Sequence, residues 1–188
     1  MEQFALKGNI IFTPQQNEIT AFPNAYTICH EGICRGIHQN LPDEFRNIRV
    51  IDFGGALIIP GMVDLHIHAP QYAFRGTGMD CELLEWLRIY TFPEEAKYAN
   101  IDYAARAYGI FADNMRKSAT TRAVIFGTIH REATLLLMDL IESAGIVSYV
   151  GKVNMDRDAP DELREIGADA SAFDTFGFHQ RRRKKKLS

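Results

Sequence analysis

The sequence predicts an α/β fold in which a small β-rich unit, residues 1–57, precedes about three β/α units. Short apolar runs separated by turn residues fill the first part, which is typical of paired strands. From residue 58 onward, strand-like runs alternate with helix-like periodicity, which is typical of parallel strands joined by crossover helices. About 130 residues follow that point, whereas a complete (β/α)8 barrel needs about 250. An open doubly wound sheet and a partial barrel therefore both fit.

The β-rich unit contains several strand candidates and one hairpin. Asn9–Thr13, Ala25–Cys29 and Arg49–Asp52 are short apolar runs bounded by turn residues. The turn residues Glu31 and Gly32 predict that the chain returns over 33–37 as a hairpin partner of the second run.

Cysteine and histidine residues gather in this predicted hairpin. Cys29, His30 and Cys34 could form part of a metal site, but no second ligand pair follows at zinc-finger spacing. We therefore expect the hairpin alone to explain their proximity. The chain has three cysteines, and this odd number without a secretory signal predicts reduced thiols in a cytoplasmic protein. No apolar run is long enough to predict a membrane span.

The β/α part begins with a strand over Val63–His68. A short helix over Glu82–Leu87 should follow and end at the Thr91-Phe92-Pro93 segment, because proline removes a backbone donor. Its leucines should share one side. A longer helix over Asp102–Lys117 presents an apolar face at helical spacing. That face comprises Ala104, Ala107, Tyr108, Phe111 and Met115.

Two further strands and one helix complete the pattern. Ala123–Phe126 and Ile146–Val150 are the strands, and Glu132–Ser143 is the helix between them. Gly145 should cap that helix at its carboxyl end. The expected core positions of this helix are Leu136, Leu137, Leu140 and Ile141. After Pro160, Asp161–Glu165 could begin another helix.

The first strand of the β/α part carries histidines at alternate positions. Residues i and i+2 of a strand point to the same face, so His66 and His68 should project together. Two imidazoles on one rigid strand make half of a metal site, since neutral imidazole binds zinc and its neighbours well. Such a pair can also be structurally incidental. The surrounding Val, Leu and Ile residues, typical of a parallel strand buried on both faces, favour the metal site, because buried imidazoles need partners.

The carboxyl-terminal segment, residues 173–188, has a different composition from the rest of the chain. Residues 181–186 are six consecutive basic residues, and without them 15 basic residues (21 − 6) face 24 acidic ones. This acidic balance argues against a nucleic-acid-binding protein, which would spread basic residues over a folded face. We expect a disordered tail, with a nuclear-localisation or RNA-binding function as the alternative.

Several motifs resemble a known family. Pro60–His68 resembles the first-strand signature of the amidohydrolase superfamily, and the continuation over 68–80 resembles guanine deaminases more specifically. The segments 84–87, 90–95, 120–123, 126–130 and 151–157 match the same family. The resemblance covers about residues 5–172. Beyond about Asp174 the sequence departs from the family pattern, as a frameshift or a premature stop would produce.

The resemblance implies a zinc hydrolase on a (β/α)8 barrel, flanked by a β-sandwich built from both chain ends. Residues 1–57 would be the amino-terminal part of that sandwich, and residues 58–172 the first part of the barrel. His66 and His68 would bind the zinc ion. The backbone of His68, Ala69 and Pro70 would line the substrate pocket, and the Gln71 side chain would hydrogen-bond the purine. Without the resemblance, Gln71 could equally cap the loop.

The implied reaction converts guanine to xanthine and ammonia, in a cytoplasmic enzyme that is commonly a homodimer with one zinc ion per subunit. Zinc lowers the pKa of bound water from about 15.7 towards 7, and a carboxylate then carries the proton to the ring nitrogen and the leaving amine. In the family, a third histidine, an aspartate and a proton-shuttling glutamate complete the site. No position of this sequence matches them, so the resemblance assigns no catalytic residue to this chain.

The sequence therefore predicts the amino-terminal portion of a guanine deaminase, with doubtful activity alone. The alternatives are a related amidohydrolase that deaminates another aminated heterocycle, and a non-catalytic fragment or interaction polypeptide. Arg75 is expected to hold the pocket wall, and His130 to support or line the pocket. His179, in the divergent tail, is expected to have no metal role.

Overall fold

A computed structural model describes residues 3–165, and the chain divides after Pro60 into two compact units. The first unit is a four-stranded sheet in the order β3-β2-β1-β4. Its central strand β1 pairs antiparallel with β2 and parallel with β4. The strands are β1 Phe4–Phe12, β2 Thr20–His30, β3 Ile33–His38 and β4 Arg49–Ile58.

Strands β1 and β2 both begin earlier than the sequence pattern predicts. Lys7 and Gly8 break the apolar run, yet neighbouring β4 accommodates both residues. The Lys7 Nζ atom lies 2.9 Å from Oδ2 of Asp52 on β4. A Cβ atom at Gly8 would lie only 3.0 Å from Cδ1 of Ile58, so glycine gives that side chain its space. Tertiary pairing thus extends a strand that local propensity would end.

One side chain of β1 stabilises irregularities in both neighbouring strands. The register shifts near Gly8 in the pairing with β2, and near Asn9 in the pairing with β4. Oδ1 of Asn9 accepts the Asn24 backbone N–H at 3.0 Å, and its Nδ2 donates to the Gly55 carbonyl at 2.9 Å. Asn9 therefore bonds backbone groups that the ladder leaves free at the two irregularities.

The second unit contains a three-stranded parallel sheet in the order β5-β6-β7. Its strands are β5 Met62–His68, β6 Thr120–Phe126 and β7 Val147–Gly151. Helix α3, Ile101–Lys117, precedes β6, and helix α4, Arg131–Ser143, connects β6 to β7. The predicted α/β fold with a parallel sheet is confirmed.

The core of the second unit lies between the parallel sheet and helices α3 and α4. Within α3 the predicted apolar face is correct, although Ala107 is only partly buried. In α4, Leu137 and Ile141 are fully buried, while Leu136 and Leu140 pack at the edge of the cluster. The largest fully buried side chains of this core are Tyr98, Tyr108, Phe111, Ile125, Leu137 and Ile141.

The ends of both helices follow the capping signals. Oδ1 of Asn100 accepts the backbone N–H groups of Asp102 and Tyr103 at 2.9 and 3.1 Å, which caps the start of α3. At the end of α4, Gly145 adopts a φ of 80°, and the Ile146 N–H donates to the Ile141 carbonyl at 3.3 Å. This is the predicted glycine cap in its Schellman form.

The helical segment before α3 differs from the prediction. Helix α1, Leu83–Trp86, continues through a π-helical turn, Leu87–Thr91, into α2, Phe92–Ala96. Pro93 does not stop the helix. It directly follows the π-helical turn, where the regular α-helical hydrogen bonds are already shifted. Two of the leucines that were expected to share one side of this helix, Leu83 and Leu84, are 69% and 65% exposed.

No residue of strand β5 is fully buried, which corrects the expectation of two buried faces. Leu65 is 71% exposed, and Tyr149 on β7 is 80% exposed. Ile67 and Val150, by contrast, pack against the helix-covered core. Within the described residues, therefore, the outer strands β5 and β7 of the parallel sheet carry exposed apolar side chains.

The remaining segments add little regular structure. After Pro160, where the sequence could begin another helix over Asp161–Glu165, only a short 3-10 turn forms, Asp161–Leu163. No helix within residues 3–165 is long and apolar enough to cross a membrane. The predicted tail, residues 173–188, and His179 lie outside the described residues.

Candidate metal and purine site

The carboxyl ends of the three parallel strands lie level with one another. His68 at the end of β5 is opposite Phe126, and Phe126 is opposite Gly151 at the end of β7. The segments that follow these strands therefore emerge along one edge of the sheet. In parallel α/β sheets this edge is where ligands bind.

Backbone hydrogen bonds fasten the three emerging segments together. The Ala69 N–H donates to the Phe126 carbonyl at 3.0 Å, and the Gly127 N–H donates to the Gly151 carbonyl at 2.8 Å. One step further, the Val153 N–H donates to the Thr128 carbonyl at 3.3 Å. The sheet ladder thus continues beyond the regular strands and gives the edge a rigid base.

The two histidines of β5 converge at this edge. The Nε2 atoms of His66 and His68 are 3.2 Å apart. The Phe126 ring packs against both imidazoles, with its centroid 4.7 Å from the His66 ring and 4.8 Å from the His68 ring. The neighbouring strand β6 therefore supplies an apolar support that restricts both rings.

A bulge in β5 shapes the approach to this pair. Asp64 is opposite Ala123 and Ile67 is opposite Ile125, so three steps along β5 match two along β6. Oδ1 of Asp64 accepts the His66 backbone N–H at 3.0 Å. The Asp64 side chain therefore satisfies a backbone donor at the irregularity and fixes the chain immediately before the histidine pair.

The geometry of the pair suits two ligands of one metal ion. Zn–N bonds of about 2.0–2.1 Å in a tetrahedral site separate two ligand nitrogens by about 3.3 Å, close to the observed 3.2 Å. Burial, followed by the charge of His66, lowers the pKa of His68, which favours the neutral imidazole that a metal requires. Within residues 3–165, no group of three or more His, Cys, Asp or Glu side chains could hold a metal ion.

The segment after β5 forms a compact turn. Ala69 and Pro70 are buried, and a 3-10 turn covers Pro70–Phe74, leaving Gln71 partly exposed. The buried Tyr98 hydroxyl donates to the Pro70 carbonyl at 3.3 Å, so this backbone is anchored from the core side.

Arg75 supports the same turn, as the sequence predicted. Its Nη1 atom donates to the Tyr72 carbonyl at 2.9 Å, and its guanidinium lies 3.9 Å from the centre of the Tyr72 ring. These contacts hold the Arg75 side chain against the turn.

Sequence reasoning missed a buried lysine at the end of β7. The side chain of Lys152 is 2% exposed, and its Nζ atom donates to Glu165 at 2.5 Å, Asn154 at 2.8 Å and the Val153 carbonyl at 3.2 Å. All three ammonium protons thus have acceptors. Its place directly after a strand, within one of the family-like motifs, was the available signal.

A buried carboxyl group on α2 was also missed. Glu95 is 3% exposed, and its Oε2 atom has no hydrogen-bond partner among the described residues. Burial raises the pKa of Glu95 to about 7. The adjacent Glu94 differs, since it pairs with Lys97 at 2.7 Å and accepts the Tyr103 hydroxyl. Adjacent carboxylates therefore have opposite environments, which their sequence alone does not distinguish.

His130 lies just beyond β6, as the residue before α4. Its carbonyl accepts the Thr134 N–H at 3.0 Å and the Thr134 hydroxyl at 3.2 Å. Its Nε2 atom is buried without a partner among the described residues, and burial, followed by the charge of Lys152, lowers the pKa of His130. The predicted role of His130 as a pocket or support residue stays a prediction, and His130 joins no metal-binding group within residues 3–165. Cys29, His30 and Cys34 form no such group either.

Comparison with known proteins gives consistent matches. Residues 57–185 match the model of the amidohydrolase family. The guanine deaminase of Dictyostelium discoideum is 34% identical over 179 residues, which are 85% of this chain and 39% of that protein. The guanine deaminase of Homo sapiens is 44% identical over 115 residues, which are 61% of this chain and 24% of that protein.

A solved structure is similar over nearly the whole chain. The guanine deaminase from C. acetobutylicum, crystallised with guanine bound in its active site, matches with a TM-score of 0.87 and 44% identity. The match covers 94% of this chain and 42% of that one. The chain thus spans less than half the length of each of these three relatives.

Proposed function

The chain belongs to the amidohydrolase family, and from that premise we propose that it provides part of the active site of a zinc-dependent guanine deaminase. The observation that carries the proposal is the convergence of the His66 and His68 Nε2 atoms, 3.2 Å apart, at the carboxyl edge of a parallel sheet. The similar proteins named guanine deaminase support guanine as the substrate.

His66 and His68 are the proposed ligands of the zinc ion. When bound, zinc supplies a water of lowered pKa, near 7, as the nucleophile for the guanine ring. Phe126 restricts both imidazoles by packing on them, and the Asp64 carboxylate fixes the backbone between them and the start of β5. The remaining ligands and the proton-shuttling glutamate are assigned to no residue among 3–165.

The turn after β5 is the proposed binding surface for the purine. The backbone of His68, Ala69 and Pro70 forms its wall, which Tyr98 anchors from behind. Gln71 carries both a donor and an acceptor, so its amide can pair with a purine edge that presents both. A fixed wall orients the ring, which is how a protein lowers the entropic part of a reaction barrier.

The proposal extends to the architecture. Strands β5, β6 and β7 would be the first strands of a (β/α)8 barrel over 58–172, and the sheet of residues 1–57 would form half of a β-sandwich. Exposed apolar side chains on β5 and β7 support the barrel, because further chain would cover them there. A groove of about 670 Å³ in the first unit supports the sandwich, because Ile10, Phe12, Phe22, Ile37 and Ile58 line it. The proposed enzyme is a cytoplasmic homodimer.

The test is guanine-to-xanthine turnover by the purified protein supplied with zinc, with zinc content measured in parallel. The His66→Ala/His68→Ala double variant should lose bound zinc and any turnover. The control is His38→Ala, because His38 lies on β3 and bonds the Arg35 carbonyl at 3.2 Å. Zinc retained equally by the double variant and the control would refute the ligand assignment. Turnover of another aminated heterocycle but not guanine would refute the substrate.

A further inference from the structure

Cys29 and Cys34 face each other across the hairpin formed by β2 and β3. Cys29 is directly opposite Cys34 in the antiparallel register, and both residues are free thiols. The third cysteine, Cys81, belongs to the second unit. The hairpin explains why these residues are close, and the register adds that the two thiols belong to directly opposite residues.

The hairpin turn determines which kind of pair the cysteines form. Glu31 and Gly32 have φ values of 55° and 73°, as in a two-residue type I′ turn. The flanking residues His30 and Ile33 are paired, and a turn of this kind joins them by a hydrogen bond. The next pair, Cys29 and Cys34, is then a non-hydrogen-bonded pair, with Cα atoms about 4.5 Å apart. This separation falls within the disulfide range of about 4.4–6.8 Å.

The two side chains lie on the same face of the sheet, and one is open to solvent. Oγ1 of Thr27 lies 3.5 Å from Sγ of Cys34. Directly opposite residues of an antiparallel pair project to the same side, so Cys29 shares this face with Cys34. Cys34 is exposed and Cys29 is partly exposed. A small oxidant can thus reach the Cys34 thiol, and the Cys29 thiol lies beside it.

We propose that Cys29 and Cys34 are a redox-modification site that forms a reversible disulfide when treated with a small-molecule disulfide such as oxidised glutathione. The Cys34 thiolate attacks one sulfur of the reagent, which forms a mixed disulfide and releases one glutathione thiolate. The Cys29 thiolate then attacks Sγ of Cys34 and releases the second glutathione. The two cysteines lose one electron each and two protons in total, and two molecules of reduced glutathione carry them away.

The expected consequence is a covalent link between an edge strand and its neighbour. Strand β3 is the end strand of the sheet order, and β2 is its only partner there within the described residues. The bond closes a short loop on the surface, and exposed disulfides of this kind are readily reduced again by thiols. The site lies in the first unit and does not depend on the proposed deaminase activity. Cys34 also lines the apolar groove of that unit, so the site is open to a reagent where no second half of the sandwich covers the groove.

The test is incubation of the intact protein with oxidised glutathione, followed by peptide mapping without reduction. The expected product is a Cys29–Cys34 cross-link in wild type and in Cys81→Ser. In Cys29→Ser the mixed disulfide on Cys34 should persist, at a level at least about tenfold above wild type, because no neighbouring thiol resolves it. Addition of excess reduced glutathione should restore all three free thiols of wild type.

Two outcomes would overturn the proposal. One is a mixed disulfide on Cys34 that accumulates equally in wild type and in Cys29→Ser. The other is a wild-type cross-link that includes Cys81. Both are read from wild-type protein as well as from the variants, so a variant that folds poorly does not obscure the result. Neither outcome depends on guanine turnover or zinc content.

Discussion

Two regions of the molecule bring histidine or cysteine side chains together, and they do so in different environments. At the end of β5, two histidines on one strand converge against the Phe126 ring, beside segments that bury Lys152 and Glu95. At the β2–β3 hairpin, two cysteines on different strands face each other, and one is open to solvent. In the first region, packing and backbone hydrogen bonds fix the side chains, whereas the second is open to a reagent from solution.

A metal-binding measurement tests the difference between the histidine pair and the cysteine hairpin most directly. Structural zinc sites with four protein ligands bind the ion with apparent free energies of about 10–16 kcal/mol, which average about 3 kcal/mol per ligand. His68→Ala should therefore weaken metal binding by at least about a hundredfold, while the Cys29→Ser/Cys34→Ser variant should bind as wild type does. Cobalt(II) titration followed by absorption spectroscopy measures both. A thiolate-to-cobalt charge-transfer band that disappears in the cysteine variant would place the metal in the hairpin instead.

The buried charge beside the strand ends should matter more than the exposed charge beside β1. Lys152→Met leaves the partly buried Glu165 carboxylate without its cation, which should cost up to about 3 kcal/mol of the free energy of unfolding. Urea denaturation followed by the fluorescence of Trp86, the only tryptophan of the chain, measures this loss in the second unit.

The matched substitution in the first unit is Lys7→Met, which removes the more exposed pair with Asp52. Its effect on the melting transition, followed by circular dichroism, should be much smaller. An equal loss of stability in the two variants would show that the ion pair of Lys152 contributes no more than the more exposed ion pair of Lys7.

The pH dependence of stability should follow Glu95. Its pKa is about 7 in the folded chain against an ordinary value of 4.5, so between these values the unfolded chain is ionised while the folded chain keeps its proton. The folded state therefore loses stability as the pH rises from 4.5 to 7, by up to about 3 kcal/mol at about 1.36 kcal/mol per pKa unit. Above pH 7 the loss is complete.

Glu95→Gln should flatten this part of the stability profile. Denaturant unfolding at pH 5 and pH 8 measures the difference, and the exposed Glu142→Gln is the control. An unchanged slope in Glu95→Gln would show that another group causes the pH dependence.

The smallest expected effect concerns the bulge before the histidine pair. Asp64→Ala removes the acceptor of the His66 N–H, which should loosen the strand and lower zinc affinity about 10- to 100-fold, as loss of outer-shell partners does. Asp64→Asn keeps an acceptor oxygen and should restore most of the affinity. Competition with a chromogenic chelator measures both variants. Equal losses in the alanine and asparagine variants would show that charge, rather than the hydrogen bond, is the important property.

Local sequence patterns predicted the regular elements well. The apolar face of α3, the glycine cap of α4 and the alternation of His66 and His68 follow from helical and strand periodicity alone. The Glu31-Gly32 pair predicted the hairpin turn, and in the structure both residues adopt the positive φ of a two-residue hairpin turn. These features depend on a few neighbouring residues, which is why the sequence reveals them.

Features that depend on tertiary neighbours were not predictable in this way. The early start of β1 depends on Asp52 and Ile58 in another strand. The contrast between Glu94 and Glu95 depends on which carboxylate meets Lys97 and Tyr103 and which is buried alone. The Cys29–Cys34 pairing depends on strand register, which a turn sequence suggests but does not determine.

The π-helical turn at Leu87–Thr91 has a consequence for how this segment can change during evolution. Such a turn holds one residue more than an α-helical turn, and the Phe92 N–H accordingly donates to the Leu87 carbonyl, five residues earlier. Deletion of one residue here would leave an ordinary α-helical turn and would keep α1 and α2 in register with each other. The extra residue can therefore be lost without moving the helices on either side. A homologue with a single alignment gap in this segment is accordingly expected to keep the same buried acids.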